Sequence, residues 1–191
     1  MKENWKKAEE ILKKDGVVVL PTDTLYGLVG RALSKKAVEK IYQIKDRIEN
    51  KPFIVLISSY KDLDNLGIKI EERKMKILKK VWPGKVSVIL RSDLDKWNYI
   101  DRGVGTIAFR MIGPRNKNLY NLIKKVGPLV APSANPEGIA PAENIKEAKN
   151  YFKDQVSLYI DGGKRKFKAS TLIKLKENNW IVLRQGDVII N

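Results

Sequence analysis

The sequence predicts a single α/β domain, residues 1–191, built on a mixed sheet flanked by helices. Three observations lead there. Short β-branched runs alternate with segments whose apolar residues recur at i, i+3 and i+4. The chain has 191 residues, 43% hydrophobic and 31% charged, which supports one real core. Its last apolar segments read as a hairpin, which argues against a purely parallel sheet.

The elements follow in order. Trp5, Ala8, Ile11 and Leu12 share one face of a helix over 4–14, and Gly16 stops it. "VVVL" (17–20) is a strand ended by Pro21. Ser34 is the N-cap residue of a second helix, in which Val38, Ile41, Tyr42 and Lys45 repeat at i, i+3, i+4, i+7. "FIVLI" (53–57) is a buried strand. A helix spans about 70–81 before Pro83-Gly84. "KVSVILR" (85–91) and "GTIAFRM" (105–111) are strands, and 116–126 is a helix closed by Gly127. "PLVAP" is a short buried strand that empties into "SANPEGIAPAE", a loop dense in Ser, Asn, Pro and Gly. A helix over 142–152 and the strand "VSLYI" precede Asp161-Gly162-Gly163. The hairpin is "STLIKL", the turn "KENN" and "WIVLR".

Composition removes whole classes of chemistry. Cys and His are both absent. A Ser-His-Asp triad, a Cys-His pair, a His- or Cys-ligated zinc and a disulfide framework are therefore impossible. What remains is carboxylates, lysines, arginines, hydroxyls and backbone amides. That inventory suits reactions governed by positioning and charge stabilisation, such as phosphoryl or nucleotidyl transfer. The net charge of +16 attracts polyanions, so nucleic acid, nucleotides and anionic surfaces are candidate ligands. Much of that charge also lies in stretches such as "EERKMKILKK", which read as solvated helix faces. Apolar runs reach only about five residues, far short of a membrane span. The opening "MKENWKKAEE" has no apolar signal region, so a cytoplasmic protein is the simplest expectation.

Individual motifs each have a plain structural reading. "GVGTIA" matches a dinucleotide fingerprint but leads into a strand rather than out of one into a helix, so it is rejected. No P-loop pattern occurs. In "PTDTLYG", Thr22 and Thr24 can face a crevice, or simply close the strand in an Asx or ST turn. Lys45 lies on the apolar row of its helix, which is odd for a solvated lysine. It compensates a helix dipole or, with Arg47, meets phosphate. In "APSANPEG", Ser133 and Asn135 stand just past a strand, as a phosphate or base contact or as a Pro-bounded turn. Asp161-Gly162-Gly163 could offer a metal ligand but reads first as a turn. Ser170 and Thr171 pair with Arg184 across the hairpin, where a guanidinium reaches phosphate or forms a rim ion pair.

Taken together and in order, the motifs resemble one family, the threonylcarbamoyl-AMP synthases of the YrdC type, from about residue 7 to 186. The landmarks are P-T-D-T-x-Y-G-L at 21–28, K-x-R at 45–47, W-P-G at 82–84, A-x-R at 108–110, P-S-A-N at 132–135, D-G-G at 161–163, S-T at 170–171 and L-R-Q-G at 183–186. The resemblance implies a twisted open sheet curved around a large basic cavity. It implies an enzyme, a nucleotidyltransferase, that joins L-threonine and bicarbonate to ATP, releasing pyrophosphate. A partner transferase complex then carries the threonylcarbamoyl group to tRNA.

By the same resemblance, Thr24, Tyr26, Arg110 and Ser170 belong to threonine. Lys45, Arg47, Thr106, Ala131, Ser133, Asn135 and Arg184 belong to the nucleotide, with Lys45 and Arg47 as the catalytic basic pair. Mg2+ arrives on the ATP phosphates, with no metal site in the protein itself. Direct binding of tRNA or double-stranded RNA is the alternative, and a relative with another nucleotide substrate a third. Three positions depart from the family pattern: Ile48, Lys85 and Ile112 stand where it usually has proline. The chain resembles the short single-domain form.

Overall fold

A computed structural model describes residues 2–46, 51–92, 95–177 and 179–190. Among these, nine strands make one sheet: β1 (Val18–Pro21), β2 (Tyr26–Arg31), β3 (Ile54–Ile57), β4 (Val86–Arg91), β5 (Thr106–Met111), β6 (Leu129–Val130), β7 (Leu158–Tyr159), β8 (Thr171–Leu175) and β9 (Trp180–Arg184). The spatial order is β7-β1-β2-β6-β3-β5-β4-β8-β9. Three pairs are parallel, β1 with β7, β3 with β5 and β4 with β8; the other five are antiparallel. The expected mixed α/β sheet is what the chain forms.

The helices are α1 (Lys2–Lys13), α2 (Lys35–Lys45), α3 (Tyr60–Asn65), α4 (Glu72–Val81), α5 (Asn98–Asp101), α6 (Lys117–Val126) and α7 (Ile145–Phe152). Ser34 caps α2 as anticipated, its Oγ accepting from Ala37 N at 3.1 Å, a bond type worth about 1 kcal/mol. α7 starts later than the pattern suggested, because Asn144 caps it by accepting from the amides of Lys146 and Glu147.

The core has two sides, and β1 shows why. Val17 and Val19 pack in one apolar cluster with Leu28, Val38, Ile41, Phe109 and Ile173. Val18 and Leu20 point the other way, into a cluster with Ala8, Leu12, Leu119, Ile123 and Leu129. Successive side chains leave a strand on opposite faces, so an unbroken apolar run is the mark of a strand covered on both. α1 and α6 cover the second face and are tied by a Lys125–Glu9 ion pair at 2.8 Å.

Two elements differ from expectation. The chain does not loop away after Pro21. It turns and returns as β2, with Val18 opposite Val29 and Pro21 opposite Tyr26. Two glycines in "YGLVGR" interrupt the apolar run that would have marked a strand buried on both faces. "PLVAP" contributes only two ladder residues, since its bounding prolines cannot donate.

Two of the departures from the family pattern explain themselves here. The Ile112 amide donates to Ile57 O at 2.8 Å, a bond proline cannot make, and its side chain is buried. Lys85 pairs with Asp187 at 2.6 Å and stands 5.0 Å from the centroid of the Phe167 ring. Ile48 lies outside the described residues.

Candidate active site

The turn that links β1 to β2 sits at the mouth of a cleft of about 530 Å³. Five distant segments supply its polar and charged side chains. Thr22, Thr24 and Tyr26 come from the β1–β2 hairpin, and Thr106, Ala108 and Arg110 from alternate positions of β5. Ala131 and Ser133 follow β6, Ser170 precedes β8, and Arg184 ends β9. Period two explains the β5 set: 106, 108 and 110 share one face of the strand while Ile107 and Phe109 enter the core.

The family resemblance implied a large basic cavity. Among the described lining residues, two are basic, Arg110 and Arg184; the rest are hydroxyl, aromatic or aliphatic.

The hairpin end is rigidly held. Thr22 Oγ1 donates to Leu25 O at 2.6 Å and accepts from Thr24 N at 3.2 Å, which closes the turn. Tyr26 is fully buried. Its phenol accepts from Gly162 N and donates to Gly163 O, both at 2.8 Å, with Asp161 Oδ1 at 3.2 Å. Burial pushes the phenol above its ordinary value, and the Asp161 charge adds to this against the opposing Gly162 amide, so it remains a proton donor at neutral pH. Asp161-Gly162-Gly163, read from the sequence as a turn, is irregular chain with no regular turn, in which Asp161 Oδ1 accepts from Gly163 N at 2.9 Å. Its place is set by contact: a Cβ on Gly162 would fall 2.5 Å from Pro21 Cβ. Arg165 completes the tie by donating to Thr22 O at 3.0 Å.

The loop carrying Ser133 is pinned to β2. Leu28 N donates to Pro132 O, and Ala134 N to Tyr26 O. Behind it stands Lys45, 1% exposed, which the i+7 position on α2 directs inward. Its ammonium donates to Ser133 O at 2.7 Å and also to Asn135 O. Asn135 accepts from Ser133 Oγ at 2.6 Å and donates to Ile139 O. Lys45 and Asn135 therefore support the wall from behind, and Ser133 presents it. The expectation of a Lys45 side chain reaching directly for phosphate meets a side chain already engaged with the loop's carbonyls. Arg47 lies outside the described residues.

The far wall is hydroxyl and guanidinium. The Ser170 and Ser87 hydroxyls are 2.8 Å apart, and Ser87 is fully buried. Arg184 donates from Nη2 to Ser170 O at 2.9 Å. Burial, and after it the Arg110 charge, holds the Arg184 guanidinium below its usual value. Gly186 makes this crossing possible: a Cβ there would lie 2.2 Å from Ala169 O and 2.4 Å from Ser170 C.

Sequence reasoning missed two partners. Asp23 pairs with Arg110, Oδ1 to Nη2, at 2.9 Å. Ser87 was readable only as a hydroxyl inside an otherwise apolar strand, a signal that names no partner. Among the described residues no three Asp or Glu side chains gather to hold a metal, and no carboxylate lines the cleft. No described helix is long and apolar enough to cross a membrane.

The sequence model of the Sua5/YciO/YrdC family, described as telomere recombination, matches residues 10–186. A threonylcarbamoyl-AMP synthase of Pyrococcus abyssi is 32% identical over 188 residues, 96% of this chain and 55% of the relative. A putative threonylcarbamoyl-AMP synthase of Methanocaldococcus jannaschii is 32% identical over 196 residues, 98% of this chain and 90% of the relative. Among solved structures, P. abyssi Sua5 complexed with L-threonine superposes with a TM-score of 0.87 at 30% identity, covering 97% of this chain and 55% of that one. The chain thus spans about half the length of the Pyrococcus protein and most of the Methanocaldococcus one.

Proposed function

The chain belongs to the Sua5/YciO/YrdC family, and from that premise we propose that it is an L-threonylcarbamoyladenylate synthase, a nucleotidyltransferase. One observation carries the reading: hydroxyls and guanidiniums from five separate segments, at the family's landmark positions, converge on one cleft. The Pyrococcus structure with L-threonine, of the same fold, supports the choice of amino acid.

The reaction asks little covalent chemistry of the protein. Threonine's amine takes up carbon from bicarbonate, losing water, to give a carbamate. A carbamate oxygen then bonds to the α-phosphorus of ATP while the bond from that phosphorus to the bridging oxygen breaks, and pyrophosphate leaves. Placement and charge stabilisation do the work, in keeping with a chain that has no His and no Cys.

Thr24, Tyr26, Arg110 and Ser170 hold threonine, with Arg110 facing its carboxylate. Thr106, Ala131, Ser133 and Arg184 line the nucleotide end. Lys45 and Asn135 position Ser133, and Arg47 adds a phosphate contact. Mg2+ is carried by the ATP phosphates, since the described wall offers it no carboxylates. The product passes to a tRNA-modifying transferase complex, and the setting is the cytoplasm.

The test is pyrophosphate release in the presence of ATP, bicarbonate and Mg2+, with and without threonine. Release that depends on threonine is expected; its absence refutes the synthase. Lys45→Ala and Arg47→Ala are each expected to lower that release by about tenfold or more, the loss of at least one charged contact. Wild-type rates in both variants would refute those two assignments.

A further inference from the structure

Asp23 has no part in the roles above, yet it stands beside one of the guanidiniums that line the cleft. Two guanidiniums face the cleft, from β5 and from the end of β9. Of the two, Arg110 has an anion beside it: Asp23 Oδ1 stands 2.9 Å from Nη2, with side chains 13% and 4% exposed. The contact is ionic and one-pronged, because neither Asp23 Oδ1 nor Arg110 Nε makes a hydrogen bond. Arg184 meets no carboxylate among the described residues and turns its donors to Ser170. The cleft is therefore close to neutral at Arg110 and cationic at Arg184.

We propose that Asp23 divides the cleft by charge: by neutralising Arg110 it reserves that end for an amino-acid zwitterion and leaves Arg184 as the seat of a polyanion. The proposal rests on the threonine and ATP reading and adds what keeps the two ligands from exchanging places. A pyrophosphate group is drawn to any guanidinium that lacks a counter-charge, and a carboxylate beside Arg110, itself 4% exposed, opposes it there. A zwitterion carries no net charge, so the same carboxylate does not exclude it. Selectivity of this kind comes from repelling the wrong ligand as much as from holding the right one. Asp23 acts through Arg110 and is a positioning residue, not a catalytic one.

The experiment is calorimetric titration of inorganic pyrophosphate, without nucleotide or threonine, joined to inhibition kinetics. In the wild type, Arg184→Met is expected to weaken pyrophosphate about tenfold. Asp23→Asn is expected to tighten it about tenfold, and the gain is expected to vanish in Asp23→Asn/Arg110→Met. In turnover, pyrophosphate competes with ATP alone in the wild type, and with threonine as well in Asp23→Asn. A purely structural Asp23 would lower the melting temperature and leave this competition pattern unchanged.

Unchanged pyrophosphate affinity in Asp23→Asn, or a gain that survives in the double variant, overturns the proposal. If Asp23→Asn does not fold, the double variant, which replaces an ion pair by neutral groups, decides alone: affinity within about twofold of wild type is expected, and a tenfold change either way overturns it. The binding measurements do not need turnover. A wild type with the expected pyrophosphate behaviour but no threonine-dependent release refutes the synthase and leaves the charge division standing.

Discussion

The two walls of the cleft come from opposite kinds of strand. β1, which leads into the Thr22–Thr24 turn, lies inside the sheet and is buried along its whole length. β9, which delivers Arg184, is the sheet's last strand, and none of its five residues is buried. Ile181, Val182 and Leu183 are all exposed. The difference explains how each wall treats its charge. On the interior side Arg110 is 4% exposed and is matched by Asp23, because a guanidinium stripped of water needs an anion or dipoles in its place. On the edge side Arg184 keeps part of its hydration and needs only a backbone carbonyl. The cleft thus has a fixed, internally neutralised end and a more open cationic end.

Substitutions sharpen that contrast. The largest effect is expected from Arg110→Ala, which strands Asp23 beside the core; about 3–5 kcal/mol of stability should be lost in a denaturant melt. A loss below about 1 kcal/mol would show that the interior wall tolerates an unmatched charge. Tyr26→Phe comes next. It removes the hydroxyl that joins Gly162 N and Gly163 O, and about 1–3 kcal/mol should be lost, with a raised KM for threonine. An unchanged KM would detach the Asp161-Gly162-Gly163 segment from the threonine end. Leu183→Thr on β9 is expected to change stability by no more than about 0.5 kcal/mol. A clearly larger loss, read by the same melt, would mean that the edge strand is covered.

How much of this was legible beforehand differs by element. The α2 helix, its Ser34 cap and the inward direction of Lys45 follow from spacing alone. So does the terminal hairpin, with Arg184 reaching Ser170. β2 was not legible, because its two glycines break the apolar run expected of a strand buried on both faces. α3 also escaped, being only six residues long. The motif positions named Thr24, Tyr26, Thr106, Arg110, Ala131, Ser133, Ser170 and Arg184, and all eight line one cleft. Lys45 and Asn135 were named with them but stand behind the wall, since a motif marks a residue without saying which way its polar atoms turn.

The sequence by itself determined the α/β class, the strand that ends at Pro21 and the absence of imidazole and thiol chemistry, because periodicity and residue inventory are local properties of the chain. Only the tertiary structure decided which charges meet. Asp23 and Arg110 are 87 positions apart in the numbering and are joined by β2–β6–β3–β5 packing. Arg184 lines the same cleft with no carboxylate beside it among the described residues, because the strand that carries it runs along an edge. Pairing and desolvation depend on distances between segments, and those distances are fixed by the sheet order rather than by any stretch of residues.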